Sequence, residues 1–294
     1  MAQTQLNVYK SYTEEPPEMD FVLPGLLRGT VGGLIAPGAT GKSFLALELG
    51  LLVTSLGYIN PLELELPNSP TFSALDEGMI DDINKVVCKY ITAEDPLSIL
   101  HHRMHQLGRL QNDKMRNLTA NNFEVYSFLG LSPYLIDKDG NRQEKWISSF
   151  KKGFENADLV FLDTLSLFHT ADENDASKMK VLIDVLKEIA TEADCAVVFL
   201  HHSNKLAMMQ GKGDEQNASR GSSGLVDNIR WQWNMRLMGK EEAEKTYQTD
   251  YPKRWVNLSG SKVNYSAGPD EESEVWFYRN PEDNGVLVRK TPEK

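Results

Sequence analysis

The stretch LIAPGATGKSFL, Leu34 to Leu45, carries Gly41, Lys42 and Ser43 in direct succession. These residue types at this spacing suit a triphosphate. Lys42 can reach the β- and γ-phosphates, and Ser43 can place a hydroxyl on Mg2+. In the loop of Pro37, Gly38, Ala39, Thr40 and Gly41, the successive backbone N–H groups that follow the proline can wrap the phosphates, and a helix starting beyond them adds a favourable dipole. Ala36 stands where the strict pattern has glycine. The turn survives this if that position needs no positive φ, with Gly38 and Gly41 supplying the freedom inside the loop.

Such a loop needs acids. Asp163 ends the apolar run ADLVFLDT, where a carboxylate beside a phosphate loop holds magnesium. Glu94 ends a second run, VVCKYITAEDP, and can orient water against a γ-phosphate. Its neighbour Asp95 has a competing use as the cap of a helix begun by Pro96. The six histidines fall in three places. His101 and His105 share a helix face, where a metal site is conceivable but polar surface is the simpler reading. His201 and His202 end a strand, and one of them can report the γ-phosphate state to the segment that follows. Arg230, in NIRWQW, is expected in a partly buried strand. It is read either as half of an internal salt bridge or as an arginine reaching a neighbouring subunit's γ-phosphate, with Arg220 as its competitor.

The elements that must position these groups are legible in outline. FVLPGLLRGTVGGLIAPG reads as a strand leading into the loop, and SFLALELGLLVTS as a helix packed on most of its sides. PLSILHHRMHQLG, WISSFKKGFEN and SKMKVLIDVLKEIATEAD read as helices, the last with Met179, Leu182, Ile183, Leu186, Ile189 and Ala190 at helical spacing. FEVYSFLG and CAVVFLHHSNK read as strands. LVDNIRWQWNMRLM and RWVNLSGSKVNYS read as further strands, and EVWFYRN with GVLVRK as a final hairpin. Alternating strands and helices argue for an α/β fold with a mostly parallel central sheet, and the late strands for an antiparallel C-terminal extension. Residues 1–20 are a polar arm, and residues 21–294 are read as one domain.

The chain has 294 residues and a net charge of −11, which argues against coating duplex DNA by bulk charge but leaves room for a local basic track. The longest membrane candidate, Phe44 to Val53, is interrupted by Glu48 and falls short of the roughly 18 residues of a span. The N-terminal SYTEEPPEMD is no secretory signal, so the expected compartment is the cytoplasm. The two cysteines, Cys88 and Cys195, lie in apolar runs and are expected as buried thiols.

Together, APGATGKSFLALELG, TAEDP with HHRMHQLG, FLDTL, VVFLHHSNK, MMQGKGDEQNASRGSSGLVDNIRWQ and SKVNY resemble the RepA family, the plasmid-borne hexameric replicative helicases, across residues 20–265. The resemblance implies a RecA-like P-loop ATPase core, ATP and Mg2+ as cofactors, and a homohexameric ring around single-stranded DNA. It further implies replication initiator and primase proteins as partners. Carried over, Lys42 and Ser43 resemble the phosphate and magnesium residues, Glu94 the catalytic glutamate and Asp163 the magnesium-associated acid. His202 resembles the γ-phosphate sensor and Arg230 the finger. Lys262, in SKVNY, resembles the lysine of a K-x-R element and is a candidate trans contact, with Asn264 where the arginine would stand. In such a ring, Lys205, Lys212 and Arg220 would face DNA. The stretch Pro70 to Lys85 is longer than the family's pattern.

Two other jobs suit the same residues: a recombination ATPase that coats DNA as a filament, and a slow regulatory ring ATPase. A small-molecule kinase is disfavoured, because no Arg-rich lid is present.

Overall fold

The computed structural model describes residues 5–56, 86–202, 223–247, 249–265, 274–279, 281 and 285–293. Among its described residues the arm holds only the exposed turn α1 (Lys10–Thr13), and it is followed by a small hairpin, β1 (Phe21–Leu23) with β2 (Leu26–Leu27). Then β3 (Val31–Ala36) feeds α2 (Lys42–Leu56), and β4 (Cys88–Thr92) feeds α3 (Leu97–Gly108). A further helix, α4 (Asp113–Asn122), precedes β5 (Phe123–Ser127). α5 (Glu144–Phe154), β6 (Leu159–Asp163), α6 (Ala176–Glu192) and β7 (Ala196–His202) continue the alternation. The short helix α7 (Ser223–Val226) precedes β8 (Trp231–Leu237), and α8 (Lys240–Lys245) precedes β9 (Trp255–Val263), β10 (Glu274–Arg279) and β11 (Leu287–Arg289).

Among the described residues, one sheet runs β11-β10-β9-β8-β3-β7-β6-β4-β5. From β8 to β5 every neighbouring pair is parallel, and from β8 to β11 every pair is antiparallel. The fold is therefore α/β with the expected antiparallel extension. The inner parallel strands β3, β4, β6 and β7 are buried on both faces, as a doubly covered sheet requires, whereas the edge strand β5 buries only Phe123. Leu159, Phe161, Ala196, Val198 and Leu200 face the core shared with α2, α3 and α4. The alternate residues Val160, Leu162, Val197 and Phe199 face α5 and α6. Period-two alternation thus builds two cores from the same strands.

Local chemistry explains the helix starts. Asp175 accepts from the N–H groups of Ser177 and Lys178 at 3.0 and 3.2 Å and caps α6. Asn112 accepts from Met115 N at 2.9 Å and caps α4. That helix was not anticipated. Its sequence DKMRNLTANN is mostly polar, so only Met115, Thr119 and Asn122 are buried and the periodic signal is faint. Pro96 is the N-cap of α3 rather than its first residue, and Asp95 makes no cap. Cys88 and Cys195 are buried free thiols, as expected. No helix of the described residues is long and apolar enough to cross a membrane.

Register places the chemistry. Ala36 on β3 stands opposite His202 on β7, and Thr92 on β4 opposite Asp163 on β6. The parallel strands therefore release their following segments at one edge, the carboxyl edge, where open α/β sheets bind ligands.

Candidate active site

The loop between β3 and α2 curls over this edge. Ala36 is the last strand residue and has no positive φ, so alanine is tolerated there. The expected source of freedom was partly wrong. Gly41 has φ 105, but the second left-handed residue is Ala39 at φ 63, not Gly38. Thr40 Oγ1 donates to Pro37 O at 2.8 Å and tightens the turn. No protein acceptor among the described residues takes the N–H groups of Gly38, Ala39, Thr40 or Gly41. Four consecutive free donors at the start of a 15-residue helix form an anion cradle.

Lys42 is buried beneath the loop. Its Nζ donates to Ala36 O at 3.0 Å and Pro37 O at 3.2 Å, and lies 3.1 Å from His202 Nδ1. Burial pulls its pKa down to about 8, against the nearby Asp163 and Glu94 carboxylates that raise it. A cation held by carbonyls and one imidazole gains from a phosphate. His202 is therefore the histidine that touches Lys42. His201, one residue earlier, points to the opposite face and is buried with Nδ1 unpartnered among the described residues. Burial, reinforced by His202 and Lys42, takes its pKa down to about 4.

Asp163 is buried and accepts a hydrogen bond from the Tyr90 hydroxyl, and Ser43 lies close enough to that hydroxyl to oppose the rise in its pKa. Burial and Asp163 together hold the Tyr90 pKa well above its ordinary value, so the phenol stays a neutral linker. Ser43 and Asp163 thus both lie at Tyr90, and their oxygens suit a hard divalent cation. Tyr90 was not foreseen. The available signal was a tyrosine in an otherwise apolar strand, whose hydroxyl needs a partner.

Glu94 and Asp95 differ in their surroundings. Asp95 forms an ion pair with Arg103 at 2.6 Å, which replaces the expected capping role. The Glu94 carboxylate has no such partner among the described residues and faces the cleft. Partial burial, then Asp163 and Asp95, raise its pKa against the pull of Lys42 and Arg103. The cleft has a volume of about 620 Å³ and is bounded beyond these residues by Phe44, Arg103, Arg254, Arg279 and Pro281.

Arg230 departs from expectation. It is exposed, it precedes β8 instead of lying within it, and no ion pair holds it among the described residues. The internal salt bridge is therefore not made. Its charged neighbour is another cation: Lys262, whose Nζ donates to Val226 O at 2.9 Å and whose pKa is lowered by burial and then by Arg230. β8 is parallel to β3, so a residue before β8 lies at the amino edge. The six residues of β3 separate Arg230 from the loop, roughly 20 Å at strand rise. Lys205, Lys212 and Arg220 lie outside the described residues, as does the stretch 70–85. His101, His102 and His105 are exposed on α3, and no metal-binding cluster occurs among the described residues.

A family model described as an AAA domain matches residues 3–208. Among solved structures, the chain is similar to one described as an ATPase domain, with a TM-score of 0.57 at 14% identity over 97% of this chain and 96% of that one. It is similar to a DnaB-like replicative helicase studied with its primase, with a TM-score of 0.58 at 13% identity over 98% of this chain and 67% of that one. It is also similar to the RadB recombinase, with a TM-score of 0.51 at 14% identity over 88% and 90%. At these identities the likeness is one of fold, and the neighbours share the RecA-like ATPase architecture.

Proposed function

The chain belongs to the AAA domain family, and from that premise we propose that it is a RepA-type replicative DNA helicase that hydrolyses ATP while moving on single-stranded DNA as a homohexameric ring. One observation carries the reading. Lys42, Asp163, Glu94 and His202 meet at one edge, whereas Arg230, without an ion pair among the described residues, lies beside Lys262 at the other. A chain so built cannot bring its own Arg230 to its own phosphates. A head-to-tail neighbour can, and repetition of such a contact closes a ring or extends a filament.

The residues divide the reaction among themselves. The free N–H groups of Gly38 to Gly41 and the start of α2 take the phosphates. Lys42 leaves the Ala36 and Pro37 carbonyls for the β- and γ-phosphates. Ser43 and Asp163 would hold Mg2+, which when bound would neutralise charge developing on the phosphates. Glu94, with no ion pair of its own among the described residues, orients the attacking water and draws on its proton. His202 loses Lys42 when phosphate arrives, and so senses occupancy at the start of the segment that carries Lys205 and Lys212. Those lysines and Arg220 are the proposed DNA contacts. Arg230 of the next subunit stabilises charge on the transferred phosphoryl group. The DnaB-like relative was studied with primase, which supports a primase as a partner of this chain, while the initiator rests on the RepA-family resemblance alone.

The RadB likeness keeps a filament-forming recombinase as the second reading. The test is unwinding of a forked duplex, run beside electron microscopy with a non-hydrolysable ATP analogue. ATP-dependent unwinding by closed rings is the expected result. Filaments with strand exchange and no unwinding would favour the second reading, and ATP turnover indifferent to DNA would refute both.

A further inference from the structure

Among the cleft cations that have no place in the scheme above, Arg279 is the one that touches the phosphate loop. Arg279 ends β10. That strand is antiparallel to β9, which is antiparallel to β8, so β10 runs parallel to β3 and finishes at the phosphate-loop edge. Its Nη1 and Nη2 each donate to Ala39 O at 3.2 Å, and Nη2 also donates to Thr40 O. No carboxylate pairs with it among the described residues, and burial alone lowers its pKa. A half-buried guanidinium without an acid is costly unless its hydrogen bonds are put to use.

We propose that Arg279 is a positioning residue of the nucleotide loop, whose forked guanidinium holds the Ala39 and Thr40 carbonyls outward and so turns the Thr40 and Gly41 N–H groups into the phosphate cradle. The planar trans peptide makes the two directions inseparable. In each unit the C=O and the following N–H are antiparallel, so fixing Ala39 O aims Thr40 N–H, and fixing Thr40 O aims Gly41 N–H. Both N–H groups are free of protein acceptors among the described residues. Ala39 sits at φ 63, a conformation that persists in a non-glycine residue only when its surroundings impose it. Gly41 has φ 105, and a Cβ there would stand 3.0 Å from Arg279 Nη2, so the loop and the guanidinium are shaped to each other. The mount is firm: Leu287 N, on the strand paired with β10, donates to Glu48 Oε1 on α2 at 2.9 Å. The carbonyl pair calls for arginine, because lysine has a point charge and no planar fork.

The inference rests on the reading that this loop binds ATP. Binding of ATP by the unaltered full chain tests that reading, and Arg279 is judged only by ratios to the unaltered protein. The experiment displaces a fluorescent ADP analogue with Mg·ATP and with Mg·tripolyphosphate, which has phosphates but no ribose or base. Arg279→Ala is expected to weaken both competitors by roughly tenfold or more, the scale of hydrogen bonds to a charged group. Arg279→Lys is expected to recover little of the loss, and the melting temperature without nucleotide is expected to hold in both variants. Weaker ATP with unchanged tripolyphosphate would overturn the proposal, because the arginine would then serve the nucleoside. Full recovery by lysine would overturn it in favour of simple charge. Unchanged affinity would overturn it, and so would a loss matched by a fall in nucleotide-free melting temperature in both variants.

Discussion

Glu48 lies on α2, the helix that follows the phosphate loop, and is 1% exposed. Oε1 accepts from Leu287 N, while Oε2 is buried without a partner among the described residues. Burial raises its pKa from 4.5 to about 8, and the Leu287 hydrogen bond opposes the shift without cancelling it. A carboxyl with a folded pKa above its unfolded value binds its proton more tightly when folded. Its contribution to stability is fully present below about 4.5 and is lost as pH rises through about 8. The shift from 4.5 to about 8 corresponds to a total effect of about 5 kcal/mol, of which about 4 falls between pH 5 and 8.5. Glu48→Gln keeps the acceptor for Leu287 N and removes the titration. Chemical denaturation of both proteins at pH 5, 7 and 8.5 isolates the group, because every other titration is common to the pair. The expected result is near-equal stability at pH 5 and a margin in favour of glutamine that grows with pH, on the order of 4 kcal/mol by pH 8.5. A margin constant with pH would refute the reasoning, and one growing towards acid pH would reverse its sign.

Lys42→Ala should fold and lose ATP hydrolysis; steady-state turnover within tenfold of the unaltered protein would remove the basis of the site. Glu94→Gln should bind nucleotide and fail to hydrolyse it, whereas Asp95→Asn, which breaks only the Arg103 pair, should keep measurable turnover; the opposite order would transfer the water-orienting role to Asp95. Arg230→Ala should retain stability, because the side chain is exposed and makes no ion pair among the described residues, and lose turnover by about 10³ or more. Mixing it with Lys42→Ala subunits should restore activity at the interfaces that pair an intact loop with an intact arginine, and no recovery would argue against action in trans. Gly50→Ala should destabilise by about 1–3 kcal/mol through overpacking, because an added Cβ meets the Phe123 ring at 2.4 Å; an unchanged unfolding midpoint would mean that the ring moves aside freely.

Features carried by neighbouring residues are legible in the chain alone. Gly41, Lys42 and Ser43 are joined covalently, and the apolar runs ending at Glu94, Asp163 and His202 declare strands whose ends carry polar groups. Hydrophobic alternation with intervening helices was enough for the α/β class, because parallel strands need crossovers and both faces covered. Choices between neighbours belonged to the tertiary structure. Adjacent strand residues face opposite ways, so which of His201 and His202 meets Lys42 depends on which face of β7 the loop covers. Asp95 was separated from Glu94 by Arg103, eight residues further on in another turn of chain. Arg230 looked buried because its neighbours Ile229 and Trp231 are buried, yet its place just before β8 leaves it at the amino edge and exposed. Tyr90 and Arg279 depend on longer contacts still, 73 and 240 residues along the chain from Asp163 and Ala39. Local spacing cannot encode such a meeting, because it is the strand order and the parity of the antiparallel turns that return β10 to the edge of β3.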